Sequence, residues 1–410
     1  MNYPDALAWL YATQLTGIKL GLDTVGRLLR ELGFGTDGGA RVVHVAGTNG
    51  KGSVCAMLDA VCRAEGYRTG LFISPHLVTF RERARLDGYP IPEASVAEGL
   101  TRLRDLSADW QPPPTFFEYT TALALDYFRE RRAEVIILET GMGGRLDATN
   151  AVTPAASVIT SIDFDHTAWL GDTLAAIAGE KAGIIKPGVP VVTVPQAPEA
   201  MEVITRTAAE RNAPLTVVSE PLPPDWTVAL AGSHQRVNAA AALAALDAAG
   251  IKTGDQARRR GLAETDWPGR FQRLENGRVI LDGAHNPAAS RRLAHTWHEE
   301  YGGHHRATVI LGVLRDKDFP AICRALEPLA ARFLTVPTRS PRTASPDELL
   351  AALTHAAPQA SAHAVPDGVA AALEQARQWP EPILVTGSLF LVGEALAILT
   401  GRDQPEVSWQ

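Results

Sequence analysis

The chain has 410 residues, 46% of them hydrophobic, and a net charge of −7. That length suits two domains with separate cores, and the acidic balance offers no basic surface to nucleic acid. No apolar run is long enough to span a bilayer, and the N-terminus lacks the charged leader and apolar stretch of a signal peptide, so a cytoplasmic protein without membrane or nucleic-acid partners is expected.

From Val42 onward, strand-like apolar runs alternate with helical patterns. Val42 to Ala46 reads as a strand, Lys51 to Glu65 as a helix stopped by Gly66, and Arg68 to Ile73 as the next strand. Cys55 and Cys62 lie on that helix and read as small buried hydrophobes. With Cys323 they show no metal spacing and suit a reducing compartment. Pro112 to Pro114 break the chain before a helix over Phe116 to Arg131. Glu134 to Glu139, Ala156 to Ile162 and Val189 to Val194 follow as strands, and the apolar run Val135–Glu139 has the pattern of a strand buried on both faces. A second series begins after Trp267-Pro268-Gly269, with strands at Val279–Leu281, Ala307–Leu311, Phe333–Val336 and Ile383–Val385 and a helix over Pro346–His355. The prediction is an α/β protein with an N-terminal P-loop ATPase-like, mostly parallel sheet domain over 1–267. A smaller C-terminal Rossmann-like α/β domain is expected over 268–410.

Lysine is scarce. Lys19, Lys51, Lys181, Lys186, Lys252 and Lys317 stand among 39 basic residues, and the rest are arginine. Arginine cannot replace a primary amine, so each remaining lysine raises a chemical question. Lys51 falls in the segment from Val42 to Ser53, which is a strand, a glycine loop and a helix start. Glycines let backbone N–H groups face phosphate oxygens, and the helix N-terminus favours an anion. Lys51 is placed to reach the outer phosphates and Ser53 to offer its hydroxyl to magnesium. The loop departs from the usual phosphate-loop pattern in having Val45 at the first glycine position and Gly52 between lysine and serine.

The strand ending at Glu139 leads into a glycine-rich run to Asn150. A carboxylate at the C-terminal end of a buried strand faces the crevice where α/β sheets bind ligands, which makes Glu139 a magnesium-ligand candidate. His166, after the strand ending in Ile162, is a second metal candidate. A histidine there is more often structural, but here it coincides with Glu139 and the phosphate loop. Lys181, in Glu180-Lys181-Ala182-Gly183-Ile184, is either a surface lysine or, if its amine is neutral, a site for carbon dioxide to form a carbamate.

With these residues in place, the chain resembles the folylpolyglutamate synthases, often also dihydrofolate synthases, of the Mur ligase superfamily. The resemblance rests on GTNGKGS (47–53), SPHL (74–77), FFEY (116–119), ETGMGGRLDATN (139–150), SIDFDHTAWLG (161–171), EKAGI (180–184), PGRFQ (268–272), DGAHNP (282–287) and TGSL (386–389), in the family's order. It implies the Mur ligase architecture and ATP phosphates held by Asn49, Gly50, Lys51, Gly52 and Ser53. Ser74, Glu139 and His166, with Ser53, are implied to organise two magnesium ions, and potassium is a further candidate ion. Lys181 matches the family's N6-carboxylysine. Asn238, Arg270 and Asp282 are implied to meet the nucleotide, and Asp282, His285 and Ser388 the incoming glutamate. Lys19, Leu20, Gly21, Thr115, Phe116, Phe117, Glu118, Arg145 and Asp147 match the folate or pterin side, where Lys19 replaces an acidic residue of bifunctional members. Gly283 and Leu389 are mild departures from the family pattern. Small-molecule substrates (ATP, L-glutamate, folate or dihydropteroate) and a monomer follow from the same resemblance.

The implied chemistry activates a folate-side carboxylate as an acyl phosphate, which glutamate's amine then attacks. Lys51, Lys181, His166 and His285 are the catalytic candidates, with no general base assigned. A peptidoglycan-precursor ligase would share the ATP chemistry, but the Lys-Gly-Ser loop and the absence of an extra N-terminal domain's length argue against it. A nucleotide-dependent switch would need the phosphate loop alone.

Overall fold

A computed structural model of the chain describes residues 1–16, 21–34 and 39–406. Lys19 and Leu20 therefore lie outside the described residues. The chain divides into two compact units. The first takes Met1–His76, Arg81–Ala229 and His234–Thr265, and the second takes Leu77–Phe80, Leu230–Ser233 and the chain from Asp266 onward.

In the first unit the described residues form an eight-stranded sheet. Its strands are β1 (Arg41–Ala46), β2 (Thr69–Phe72), β3 (Ala84–Leu86), β4 (Tyr89–Pro90), β5 (Val135–Glu139), β6 (Ala156–Ile159), β7 (Val191–Thr193) and β8 (Leu215–Val217). They run in the order β4-β3-β2-β5-β1-β6-β7-β8. All neighbours pair parallel except β2–β3 and β3–β4, which make an antiparallel margin. β1 is central, registered against β5 on one side and β6 on the other. Every residue of β5 is buried, as its continuous apolar run requires.

The helix Lys51–Glu65 spans the predicted residues, and Gly66 closes it in the left-handed conformation. Cys55 and Cys62 are both buried in it. Strand β6 ends at Ile159, short of the expected Ile162, because Thr160 and Ser161 turn to bond β1 and the loop after it. Thr160 N–H donates to Ala46 O, and Thr48 N–H donates to Ser161 O at 2.8 Å. The helices Tyr3–Ala12, Asp23–Glu31 and Glu93–Leu106 and the β3–β4 margin were not read from the sequence.

In the second unit the strands are β9 (Gln272–Leu274), β10 (Val279–Leu281), β11 (Ala307–Leu311), β12 (Ala330–Thr335), β13 (Ser361–Ala364) and β14 (Ile383–Thr386). Their order is β13-β12-β11-β14-β10-β9, with only β9 antiparallel to its neighbour. Apolar clusters fill the sheet's surroundings, one around Trp297, Phe333 and Leu353 and one around Val279, Leu334 and Leu391. Among the described residues no helix is long and apolar enough to cross a membrane.

Candidate active site

At the C-terminal ends of β1, β5 and β6 three loops converge in the first unit, in the crevice where parallel sheets take ligands. The loop after β1 is pinned on both sides. Thr48 Oγ1 donates to Asp163 O at 3.0 Å and accepts from Asp163 N–H at 3.1 Å, and Asn49 pairs with Ser161. Gly47 has φ +149°, and a Cβ there would lie 1.8 Å from Thr160 Oγ1, so only glycine fits. Gly50, at φ 91°, opens the helix Lys51–Glu65 with no side chain capping it. Its first N–H groups are thus left to a ligand, as at an anion site.

Two lysines meet at this loop. Lys51 Nζ donates to Gly47 O at 3.1 Å and to Thr48 O at 3.3 Å. Lys181, on the helix Leu174–Ala182, donates to the same Gly47 O at 2.8 Å. Lys181 is 4% exposed. Burial brings its amine down to about 7, and the neighbouring Lys51 ammonium adds to the fall against the attraction of Asp165 and Asp147. Lys181 is thus not the surface lysine of the plainer reading.

Ser53 is buried, and Gln235 Nε2 donates to its Oγ at 3.3 Å. Asn238 Nδ2 donates to Gln235 Oε1 at 2.9 Å, and its Oδ1 sits 3.1 Å from where a Gly50 Cβ would be. Gln235 is therefore the link between Ser53 and Asn238 that sequence reasoning missed. The available signal was a Gln/Asn pair three apart, hence on one face, in a helix of alanines (Ser233–Ala248).

Glu139 ends β5, 6% exposed, with Ser74 N–H 3.4 Å from its Oε2. His166 is on the loop after β6 in the left-handed conformation, exposed, with Asp165 4.0 Å away. Among the described residues no three His, Cys, Asp or Glu side chains converge as a closed metal cage.

Beyond Glu139 the glycine run folds back through Asp147. Its carboxylate accepts from Gly141, Met142 and Thr149 N–H and from Thr149 Oγ1, four bonds that offset the upward push of burial on its pKa. Arg145 is half exposed and pairs with Glu180, next to Lys181, at 2.8 Å. Asn150 Nδ2 ties the same loop to Gly183 O at 3.1 Å. On the helix Phe116–Glu130, Thr115 and Glu118 form a reciprocal capping box and so hold the helix start. Phe116 is buried against Tyr11, and the Phe117 ring lies under Gly141, leaving no room for a Cβ there. Gly21 has open space around it.

The second unit gathers its own candidates at the ends of β10 and β14. Asp282 Oδ2 accepts from Phe271 N–H and Oδ1 from Ala284 N–H, both at 2.9 Å. Burial raises its pKa, against the pull of Arg270, those amides and His285. Arg270 donates to Gly269 O at 3.0 Å, and a Cβ on Gly283 would fall 2.6 Å from its Nη1. His285 Nδ1 donates to Gly283 O at 2.8 Å. Gly387 N–H donates to Ala284 O at 3.0 Å and brings Ser388, the buried cap of the helix Leu389–Thr400, beside this loop.

Residues 45–220 match the Mur ligase middle domain and residues 269–389 the Mur ligase glutamate ligase domain. The dihydrofolate synthase/folylpolyglutamate synthase of Bacillus subtilis (strain 168) is 35% identical, over 96% of this chain and 98% of that one. Among solved structures, the bifunctional folylpolyglutamate synthase/dihydrofolate synthase of Yersinia pestis complexed with AMPPNP and Mn ion superposes with a TM-score of 0.86 at 32% identity, covering 98% of each chain. The E. coli FolC in complex with DHPP and ADP gives a TM-score of 0.84 at 33% identity, covering 97% of this chain and 98% of that one.

Proposed function

The chain belongs to the folylpolyglutamate synthase/dihydrofolate synthase family of Mur ligases, and on that premise we propose that it extends reduced folates with L-glutamate and also joins glutamate to dihydropteroate. It is an ATP-dependent acid–amino-acid ligase that uses a divalent metal ion. The observation that carries the site reading is the uncapped glycine-loop helix with Lys51 and the buried Lys181 converging on Gly47 O.

In this reading the folate-side carboxylate attacks the γ-phosphorus of ATP and ADP leaves, giving an acyl phosphate. The amine of glutamate attacks the acyl carbon, phosphate departs, and the amine gives up its proton. Asn49, Lys51 and the N–H groups from Gly50 to Ser53 hold the charge of the transferring phosphoryl group. Gln235 fixes Ser53 and Asn238 as nucleotide contacts. Arg270 and Asp282 are further nucleotide contacts, and Asp282, His285 and Ser388 take glutamate. Thr115 to Glu118, Arg145 and Asp147 form the folate side. The donors Glu139, Ser74, Ser53 and His166 suit magnesium. They would supply one carboxylate, hydroxyls and an imidazole without a closed cage, which leaves room for the nucleotide oxygens and water that magnesium prefers. Bound there, the metal supplies positive charge opposite the phosphates. Lys181, with a neutral amine, is assigned a carbamate. Two magnesium ions, a potassium requirement and a monomer complete the proposal, to be checked by ion titration of activity and by sedimentation.

The test is ADP release with ATP, magnesium and glutamate, run separately with dihydropteroate and with tetrahydrofolate and checked by product mass. Turnover on both supports the bifunctional reading. Turnover on tetrahydrofolate alone restricts the enzyme to polyglutamylation. Glutamate-dependent turnover on neither would overturn the folate assignment for this chain.

A further inference from the structure

Strand β1 contains an imidazole that the proposed chemistry does not use. His44 sits mid-strand among valines, fully buried, registered against Leu138 of β5 and Ser157 of β6. Its Nε2 is 2.8 Å from Thr149 Oγ1. Thr149 Oγ1 is 2.5 Å from Asp147 Oδ1. An ionised carboxylate only accepts, so the single hydroxyl proton of Thr149 goes to Asp147, and His44 must donate from Nε2 to Thr149. That fixes the tautomer and leaves Nδ1 a bare acceptor, which is buried with no partner. An aliphatic side chain would avoid that unpaired nitrogen, so its presence calls for a reason outside packing.

The direction of the chain supplies the reason. Asp147 Oδ2 accepts from Gly141 and Met142 N–H, both at 2.9 Å, and these amides open the glycine run directly after Glu139 and Thr140. The same run packs Gly141 on Phe117 and Gly144 on the carbonyls of Glu180 and Lys181. A donor lost at His44 therefore loosens a loop bounded by a metal candidate, a folate candidate and the buried lysine.

We propose that His44 is a positioning residue for folate ligation, its Nε2–H acting through Thr149 on Asp147 to hold the loop from Thr140 to Leu146 in its working conformation. The inference rests on the reading of Asp147 as part of the folate side.

The test compares His44→Gln, which keeps an N–H near the Nε2 position, with His44→Leu, which keeps bulk without a donor, and with Thr149→Val. Steady-state constants are measured with tetrahydrofolate and ATP each varied, beside thermal melting. The expected result is a loss of about tenfold in kcat/KM for the folate in His44→Leu with the ATP KM changed less than about twofold. His44→Gln should recover most of that loss. Thr149→Val should match His44→Leu, and the double variant should be no worse than either single one. Equal shifts in the folate and ATP constants, unchanged kinetics with only a lower melting point, or a His44→Gln as impaired as His44→Leu would each overturn the proposal. If His44→Leu does not fold, His44→Gln against Thr149→Val decides it. Asp147→Asn separates the two readings. Unchanged folate constants in that variant sink the folate-side assignment and this inference with it, whereas a raised folate KM there beside a normal His44→Leu sinks this inference alone.

Discussion

Lys51 and Lys181 donate to one carbonyl, that of Gly47, from 4 and 134 residues further along the chain: 3.1 Å from the first amine and 2.8 Å from the second. Two ammonium groups on one acceptor repel, and Lys181 is the one that burial deprives of water. The outcome is Lys51 on the glycine loop beside a Lys181 amine that burial brings down to about 7. Converting that amine to a carbamate would replace a repulsion by an attraction across the same carbonyl.

Activity should therefore depend on carbon dioxide in a pH-dependent way. Below about pH 7 Lys181 is protonated and cannot react, and above it the neutral amine is available. Bicarbonate added to carbon-dioxide-depleted enzyme should stimulate turnover near about pH 8 and not near about pH 6. Lys181→Ala should lose about 100-fold or more in kcat near about pH 8, where the wild-type amine carries the carbamate, and much less near about pH 6. A carbon-13 carbamate resonance in labelled bicarbonate, absent from the variant, checks the species directly. Because the folded pKa is below the ordinary 10.5, the folded state binds fewer protons than the unfolded one between about 7 and 10.5, so Lys181 penalises folding most below that window. The stability gained by Lys181→Met should shrink as the pH rises through it.

Gly144 controls how closely the glycine-rich loop after β5 approaches that lysine. A Cβ there would lie 2.9 Å from Glu180 O and 3.0 Å from Lys181 O, both backbone atoms at the end of a helix. Gly144→Ala must push the loop away, with an expected cost of about 1–3 kcal/mol in stability and a larger proportional loss of kcat. Gly179→Ala, on the same helix with nothing within 4 Å of its new methyl, is the control and should be neutral or stabilising. Equal kinetics in the two variants would show that the loop does not position Lys181.

What the sequence disclosed divides by the range of the interaction involved. The helix Lys51–Glu65 and its glycine stop were legible because both are set by residues next to one another. Strands β10 and β11 were read with the bounds they have because they are short apolar runs between breakers. The antiparallel margin β3–β4 was not, since Arg85 and Tyr89 give no alternating apolar face. At the site, motif reading named Ser53, Asn238 and Asp147 but not Gln235, His44 or Thr149. Gln235 bonds to Ser53 and His44 to Thr149, pairs far apart along the chain that periodicity does not encode.

Gln235 supplies a prediction of its own. Its amide is 4% exposed and is the donor to Ser53 and the acceptor from Asn238. Gln235→Leu would strand both groups without water, raising the KM for ATP about tenfold while the KM for folate and for glutamate moves little. Gln235→Glu still accepts from Asn238 but has no proton for Ser53, and it should fall between wild type and leucine. An ATP KM unchanged in Gln235→Leu would remove Gln235 from the nucleotide site.

Glu394 offers a test in the second unit that leaves the proposed site residues untouched. It lies on the helix Leu389–Thr400 and accepts from Arg339 N–H at 2.7 Å. Burial pushes its carboxyl up to about 7, against the partial relief of that amide and the Arg339 charge. The folded state therefore binds more protons than the unfolded one between 4.5 and about 7. Stability from this group is fully present below 4.5 and is lost as the pH rises through about 7. Glu394→Gln keeps an acceptor for Arg339 and has no charge to bury, so it should stabilise the protein by about 1 kcal/mol or more near pH 8 and by nothing near pH 4. Denaturant melts of both proteins at the two pH values measure this. A stabilisation independent of pH would mean that Glu394 is hydrated in the folded protein and that its burial does not hold the proton.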